Sequence, residues 1–181
     1  WNQPDQYVEH LKCFHSVCSP DFTIASGMPT ALNIYNLYRN HAIGFYFAIL
    51  GVNIIPSVNV ISPKEMPWIF DGTPHRSTVS CCTNGRVRSK SARMEFCENF
   101  KEMLDAIEPT KVVIVGIVPD ELNVDVPIIN LNSRSQNMKE MFRKEEPWEQ
   151  LVADQQNEGT KKQVGRRSAE ADFSVLWDEE T

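Results

Sequence analysis

The sequence predicts an α/β domain with a largely parallel sheet, either an open sheet or an incomplete barrel, with flanking helices and a charged C-terminal extension. The predicted strands are β-branched runs without polar alternation, a pattern typical of parallel strands that are covered on both faces. Helical segments separate the strands, and parallel neighbours are usually joined by right-handed crossovers through such helices. The chain has 181 residues, 41% of them hydrophobic, which is enough for one core plus an appendage.

The elements follow one another along residues 1–132, which we expect to form the α/β domain. The local pattern predicts helices at 4–12, 29–50 and 92–107, and strands at 14–18, 52–60, 77–83, 111–118 and 126–131. Pro29 suits the first turn of the long second helix, and Gly51 is the expected residue at its C-terminal end. For residues 133–181 we expect an amphipathic helix and then a charged, flexible tail.

Charge and cysteine content narrow the functional classes. The net charge of −6 argues against a protein that coats nucleic acid, but it is compatible with a local basic patch. The five cysteines form no evenly spaced disulfide framework, and no secretion signal is visible, so we expect reduced thiols in a cytoplasm. The chain begins with Trp1, which suggests that N-terminal residues are missing. Residues 41–63 carry no charge, but Gly51 and Pro56 divide them into a helix and a strand, which argues against a membrane span.

The stretch "HLKCFHSVCSPDFT" (10–23) contains four residues of the types that ligate zinc. They are His10, Cys13, His15 and Cys18. They lack paired knuckle spacing, and a strand at 14–18 would point His15 and Cys18 to opposite faces. We therefore predict no metal site and no cofactor, and we expect buried cysteines to behave as small apolar residues.

Several polar residues are expected at the carboxyl ends of the strands, where α/β folds collect their ligands. Asp21 follows the first strand and either caps a turn or contributes to a site. A polar stripe on the long helix includes Asn36 and Arg39, and that helix carries no acid. The partner of Arg39 is then either Asp21, in a buried structural pair, or a ligand anion.

The segment "TNGRVRSKSAR" (83–93) is locally basic. It follows a strand, so its backbone amides and arginines suit a phosphate group, although a solvated loop is the alternative. The full set of candidate ligand-binding residues is Asp21, Asn36, Arg39, Asn59, Thr83, Asn84, Arg86 and Arg88. Asp21 is also the candidate catalytic residue, should the protein be an enzyme.

Four stretches in a fixed order resemble the phage- and mobile-element-associated family called domain of unknown function 4417. They are "SPDF" at 19–22, the "MP" to "YR" helix at 28–39, the "GVNIIP" strand at 51–56 and "STVSCCTNG" at 77–85. The resemblance extends over roughly residues 1–131. It implies a phage or mobile-element source and the cytoplasm of a bacterial host, and it implies no particular activity.

Three functional hypotheses remain open from the sequence. The first is binding of a phosphate-bearing ligand, a nucleotide or nucleic acid, at the carboxyl-end rim of the sheet. The second is a hydrolase that uses Asp21 with Arg39. The third is an inhibitor of a host protein that acts through the C-terminal tail. The shortage of clustered acids favours binding over catalysis, and we expect no membrane partner.

Overall fold

The computed structural model describes residues 2–144, with side chains up to residue 141. A 3₁₀ turn at Pro4–Tyr7 leads into the short helix α1. The further elements are α1 (Val8–Leu11), β1 (Val17–Cys18), α2 (Thr30–Ile49), β2 (Ile54–Ile55), β3 (Thr78–Cys82), α3 (Lys90–Ile107), β4 (Lys111–Val115), β5 (Ile128–Leu131) and α4 (Arg134–Lys144).

All five strands are parallel, and neighbours in space are neighbours in sequence. β1 pairs with β2 so that Val17 lies opposite Ile54, and β4 lies between β3 and β5 in a second set. A parallel bridge between Ser57 and Ser80 connects the two sets. The Ser80 amide donates to the Pro56 carbonyl oxygen, and the Ser80 carbonyl oxygen accepts from the Val58 amide. The sheet is open, which confirms the predicted α/β class.

Helix α3 builds the main core against one face of the sheet. Its buried residues Phe96, Phe100, Met103 and Ile107 recur every three or four positions and pack on β3 and β4. Ser89 caps the helix, because its Oγ accepts a hydrogen bond from the Ala92 amide at 3.2 Å. The cap explains why α3 begins at Lys90, two residues before the predicted start.

Helix α2 confirms the predicted long helix to within one residue at each end. Ile43 and Phe47 pack with Val17 and Ile54, the paired residues of β1 and β2. Ile54 and Val58 are four residues apart in one extended run, so their side chains lie on the same face of the sheet. Val58 packs with α3, and both helices therefore cover this face.

The opposite face is covered in part by the described residues, since Val113 on this side of β4 is only 3% exposed. Within the described residues this face borders a cavity of about 700 Å³, which we call the face cavity. Ile129 and Leu131 of β5 contribute to its lining and remain 43% and 48% exposed.

The first two strands are shorter than predicted. Residues 14–16 form a bend and a connection, so that β1 begins only at Val17. Beyond Ile55, Pro56 has no amide hydrogen to donate, and the chain continues beside β3 through the single bridge at Ser57. The domain boundary at 132/133 stays a prediction. The tail beyond residue 144 lies outside the described residues.

Candidate functional site

Three of the predicted site residues form a chain of hydrogen bonds where β1, β2 and β3 end. The Asn59 amide donates to a carboxylate oxygen of Asp21 at 3.0 Å, and Arg86 donates to the Asn59 carbonyl oxygen at 3.2 Å. Asn59 is 7% exposed, whereas Asp21 is exposed. The structure therefore brings Asp21, Asn59 and Arg86 together at the carboxyl-end edge.

Arg86 also binds the main chain of two neighbouring connections. Its guanidinium donates to the carbonyl oxygen of Val60 at 3.1 Å and to that of Ile24 at 3.4 Å. These bonds join the segments that follow β1, β2 and β3. With its bond to Asn59, the Arg86 side chain makes three hydrogen bonds that fix the shape of this edge. Arg86 is therefore better suited to positioning these segments than to contacting a ligand.

Arg39 and Asn36 are placed differently from the expected arrangement. The Arg39 guanidinium lies over the Phe22 ring, 3.6 Å from its centroid. It also donates to the side-chain oxygen (Oδ1) of Asn36 at 3.3 Å. Among the residues that the structure describes, Arg39 and Asp21 form no ion pair. An aromatic face stabilises a guanidinium through its quadrupole.

The asparagines of α2 bind the protein's own main chain. Asn33 exchanges two hydrogen bonds with Ala25, at 3.2 and 3.0 Å, and the Asn36 amide donates to the Thr23 carbonyl oxygen at 2.7 Å. Asn40 accepts from the Phe22 amide at 2.5 Å. Side-chain amides thus supply the partners that an adjacent strand would give to residues 22–25. Asn36 is only 7% exposed and holds this segment, so its role as a ligand residue stays a prediction.

A separate cavity of about 500 Å³ lies where β3 and β4 end, next to the first turns of α4. We call it the rim cavity. Its lining consists of Thr83, Asn84, Gly85, Val87, Arg88, Ile117, Ser133, Ser135, Gln136 and Lys139. This set includes two cations, two side-chain amides and three hydroxyls, and it includes no carboxylate. Such a lining complements an anion.

Gly116 allows the wall of the rim cavity to close tightly. It follows β4 with φ of +120°, a conformation that favours glycine. A Cβ atom at this position would overlap Thr83 Oγ1 and would lie 3.3 Å from the Asn84 side-chain oxygen. The glycine is therefore needed for Thr83 and Asn84 to lie against the end of β4.

Helix α4 presents a capped N-terminus to the same cavity. The Ser133 amide donates to the Gln136 side-chain oxygen at 2.8 Å, and the Gln136 amide donates to Ser133 Oγ at 3.4 Å. This is the reciprocal capping box of an S-x-x-Q motif. It fixes the helix start, so the positive end of the helix dipole and the Lys139 side chain both lie at the cavity.

Of the three arginines in the basic segment 83–93, two have partners within the protein and one lines the rim cavity. Arg93 binds both carboxylate oxygens of Glu121 at 2.9 and 3.1 Å, and this hydrogen-bonded contact holds the pKa of Glu121 below its usual value. Arg86 binds the main chain, as described above. Arg88 is exposed and lines the rim cavity.

Four lining residues with polar side chains were missed by sequence reasoning: Ser133, Ser135, Gln136 and Lys139. They fall after the predicted domain boundary and were assigned to the extension. The S-x-x-Q spacing at 133–136 was the available signal, because a capping box marks where a helix starts.

The cysteines lie apart from the rim cavity. Burial raises the pKa of the Cys81 thiol to about 12, which makes it a poor nucleophile and a poor ligand at neutral pH. In residues 2–144 no three His, Cys, Asp or Glu side chains are placed to share a metal ion. Cys13 is exposed at the end of α1, and its thiol donates to the Glu9 carbonyl oxygen at 3.4 Å.

Comparison with known proteins places this fold in a family. Residues 1–132 match the family described as domain of unknown function (DUF4417). The chain belongs to this family. It is similar to the Gene 1 protein of Mycobacterium phage L5, with 28% identity over 127 residues, 70% of this chain and 56% of that protein. It is also similar to the Gene 1 protein of Mycobacterium phage D29, with 27% identity over 116 residues, 64% of this chain and 43% of that protein.

The comparisons give a phage context and leave the activity open. The chain spans about half the length of the phage relatives it matches. No solved structure shows a significant match. Within the described residues, no helix has the length and apolar character to cross a membrane. Residues 41–63 contain the C-terminal part of α2 and the short strand β2.

Proposed function

We propose that this phage-family domain binds a phosphate-bearing ligand, a nucleotide or nucleic acid, in the rim cavity, and that it acts in the cytoplasm of the bacterial host. The observation that carries the proposal is the lining itself. Arg88 and Lys139 contribute positive charge, and no carboxylate of the described residues lines the cavity to repel an anion. A volume of about 500 Å³ lies within the range of ~300–1,000 Å³ that is usual for small-molecule sites.

The two cations would have different roles at a phosphate. The planar guanidinium of Arg88 can donate two parallel hydrogen bonds to phosphate oxygens, whereas Lys139 contributes a point charge. The Ser135 hydroxyl and the positive end of α4 would provide additional polar contacts, whereas Ser133 is only 1% exposed and caps the helix. Asp21, Asn59 and Arg86 would act indirectly by holding the segment after β3 in place.

The alternative of hydrolysis by Asp21 with Arg39 has less support from the geometry. Arg39 is stacked on Phe22 and does not pair with Asp21 among the described residues. Asp21 hydrogen-bonds Asn59 and does not line the rim cavity, and no other carboxylate of the described residues lines it. Inhibition of a host protein through the tail concerns residues outside the described part.

Isothermal titration of the full chain with pyrophosphate, ATP and a ten-nucleotide single-stranded DNA tests the proposal. A hydrogen bond to a charged group contributes about 1.5–3 kcal/mol, and exposure of Arg88 reduces this to about 1–2 kcal/mol. We therefore expect Arg88→Gln to weaken binding roughly 5- to 30-fold. Arg76→Gln is the matched control, because Arg76 is exposed and pairs with Glu108 away from the cavity. Equal losses in the two variants, or no binding by the unmodified chain, would refute the proposal.

A further inference from the structure

The polar lining of the face cavity is concentrated at the amino ends of the strands, where Phe14 and Pro74 also line it. Ser16, Asn53, Ser77 and Lys111 come immediately before, or begin, β1 to β4, and they form the amino-end part of the lining. Val113, Ile129 and Leu131 lie further along β4 and β5 and provide an apolar floor. Because the strands are parallel, their amino ends meet at one edge of the sheet. The polar groups are therefore gathered at that edge.

The face cavity also carries charge of one sign. Lys111 is the only lysine or arginine among the residues that line it, and no Asp or Glu of the described part contributes. Lys111 is exposed and pairs with none of the acids that form the ion pairs of residues 2–144. The Asn53 amide, in contrast, is already committed to the His15 carbonyl oxygen and to Ser16 Oγ, both at 2.9 Å. A single negative charge at the Lys111 end would complement the site.

We propose that the face cavity binds a medium-chain fatty acid as its carboxylate. The carboxylate pairs with Lys111 at the amino ends of the strands, and the acyl chain lies over Val113, Ile129 and Leu131. From Lys111 to Val115 the strand extends about 13 Å at ~3.3 Å per residue, which suits a medium-length acyl chain. The volume of about 700 Å³ also accommodates such a ligand. This inference is independent of the phosphate site, which lies at the carboxyl ends.

The apolar part of the proposal predicts a dependence on chain length. Each methylene that is buried adds about 0.8 kcal/mol, so dodecanoate should bind the full chain roughly tenfold more tightly than decanoate. Titration calorimetry below the micellar concentration should give one molecule per chain. Affinity that does not change with chain length, or several molecules bound per chain, would overturn the proposal.

The head-group part is tested by a charge-removing substitution. Lys111→Met keeps the length of the side chain, and it should weaken dodecanoate at least fivefold while dodecanol binds as before. Lys101→Met is the matched control, since Lys101 is an exposed residue of α3 outside the cavity, and it should leave both affinities unchanged. Equal effects of Lys111→Met on acid and alcohol would contradict a carboxylate contact.

A second variant separates occupancy of the cavity from damage to the fold. Ile129 is 43% exposed, so Ile129→Glu should retain the far-ultraviolet circular dichroism and most of the thermal stability, yet abolish dodecanoate binding by adding a like charge. Retained binding in this folded variant would exclude the cavity. Phosphatidylglycerol vesicles distinguish a free fatty acid from a lipid surface, and co-sedimentation with vesicles without dodecanoate binding would overturn the proposal.

Discussion

Replacing Asn36 by alanine separates a structural role of the α2 asparagines from a role in ligand binding. Asn36 is 7% exposed, and its amide donates to the Thr23 carbonyl oxygen at 2.7 Å. The substitution removes this bond and leaves a carbonyl oxygen without that donor. A net hydrogen bond contributes about 0.5–1.5 kcal/mol, and a buried polar group left unsatisfied costs about 1–3 kcal/mol. We therefore expect the free energy of unfolding to fall by about 1–3 kcal/mol.

Urea denaturation followed by circular dichroism measures this change. With a slope of about 2 kcal/mol per molar urea, the midpoint should move down by roughly 0.5–1.5 M at unchanged slope. Asn123→Ala is the matched control, because Asn123 is exposed in a connection and should shift the midpoint little. Pyrophosphate binding should survive in the folded Asn36→Ala protein. Unchanged stability together with lost binding would refute the structural assignment and restore Asn36 as a ligand residue.

Three further substitutions test other parts of the account. Gly116→Ala should lower the thermal midpoint and weaken pyrophosphate binding, since the added Cβ overlaps Thr83; an unchanged midpoint and affinity would contradict the close approach. Burial lowers the pKa of His41 below 6.5. The unfolded chain therefore binds more protons just below pH 6.5, and the stability of the fold should decrease as pH falls through that range. A His41→Gln chain that keeps the same pH dependence in urea melts would refute this origin. Ser133→Ala should destabilise the start of α4 by about 0.5–2 kcal/mol, visible as faster amide hydrogen exchange at residues 134–137, and unchanged exchange would argue against the cap.

The class of fold could be predicted because the strongest local signals were long and unambiguous. Pro29 and Gly51 flank α2, and Ser89 caps α3. β4 is a continuous β-branched run. The expectation that parallel strands collect their polar ends at one edge also placed Asp21, Asn59 and Arg86 together, as their hydrogen bonds show. Topology alone was sufficient for this part of the site.

The rest of the site depended on contacts between segments that have no pattern of their own. Nothing in residues 22–25 signals an extended run that needs side-chain partners, so the stripe at Asn33, Asn36 and Asn40 resembled a ligand surface. The stacking of Arg39 on Phe22 joins two residues 17 positions apart. The contribution of α4 to the rim cavity was hidden because its first turn follows a composition change that suggested a boundary.

The central claim is that phosphate binds in the rim cavity, and its most direct test is residue-resolved mapping by nuclear magnetic resonance. Pyrophosphate titrated into isotope-labelled full chain should shift the amide signals of Gly85, Arg88 and residues 133–136 in a saturable manner. In Arg88→Gln these shifts should require roughly 5- to 30-fold more pyrophosphate. Saturable shifts confined to Phe22 and Arg39, or the absence of saturable shifts anywhere, would contradict the account.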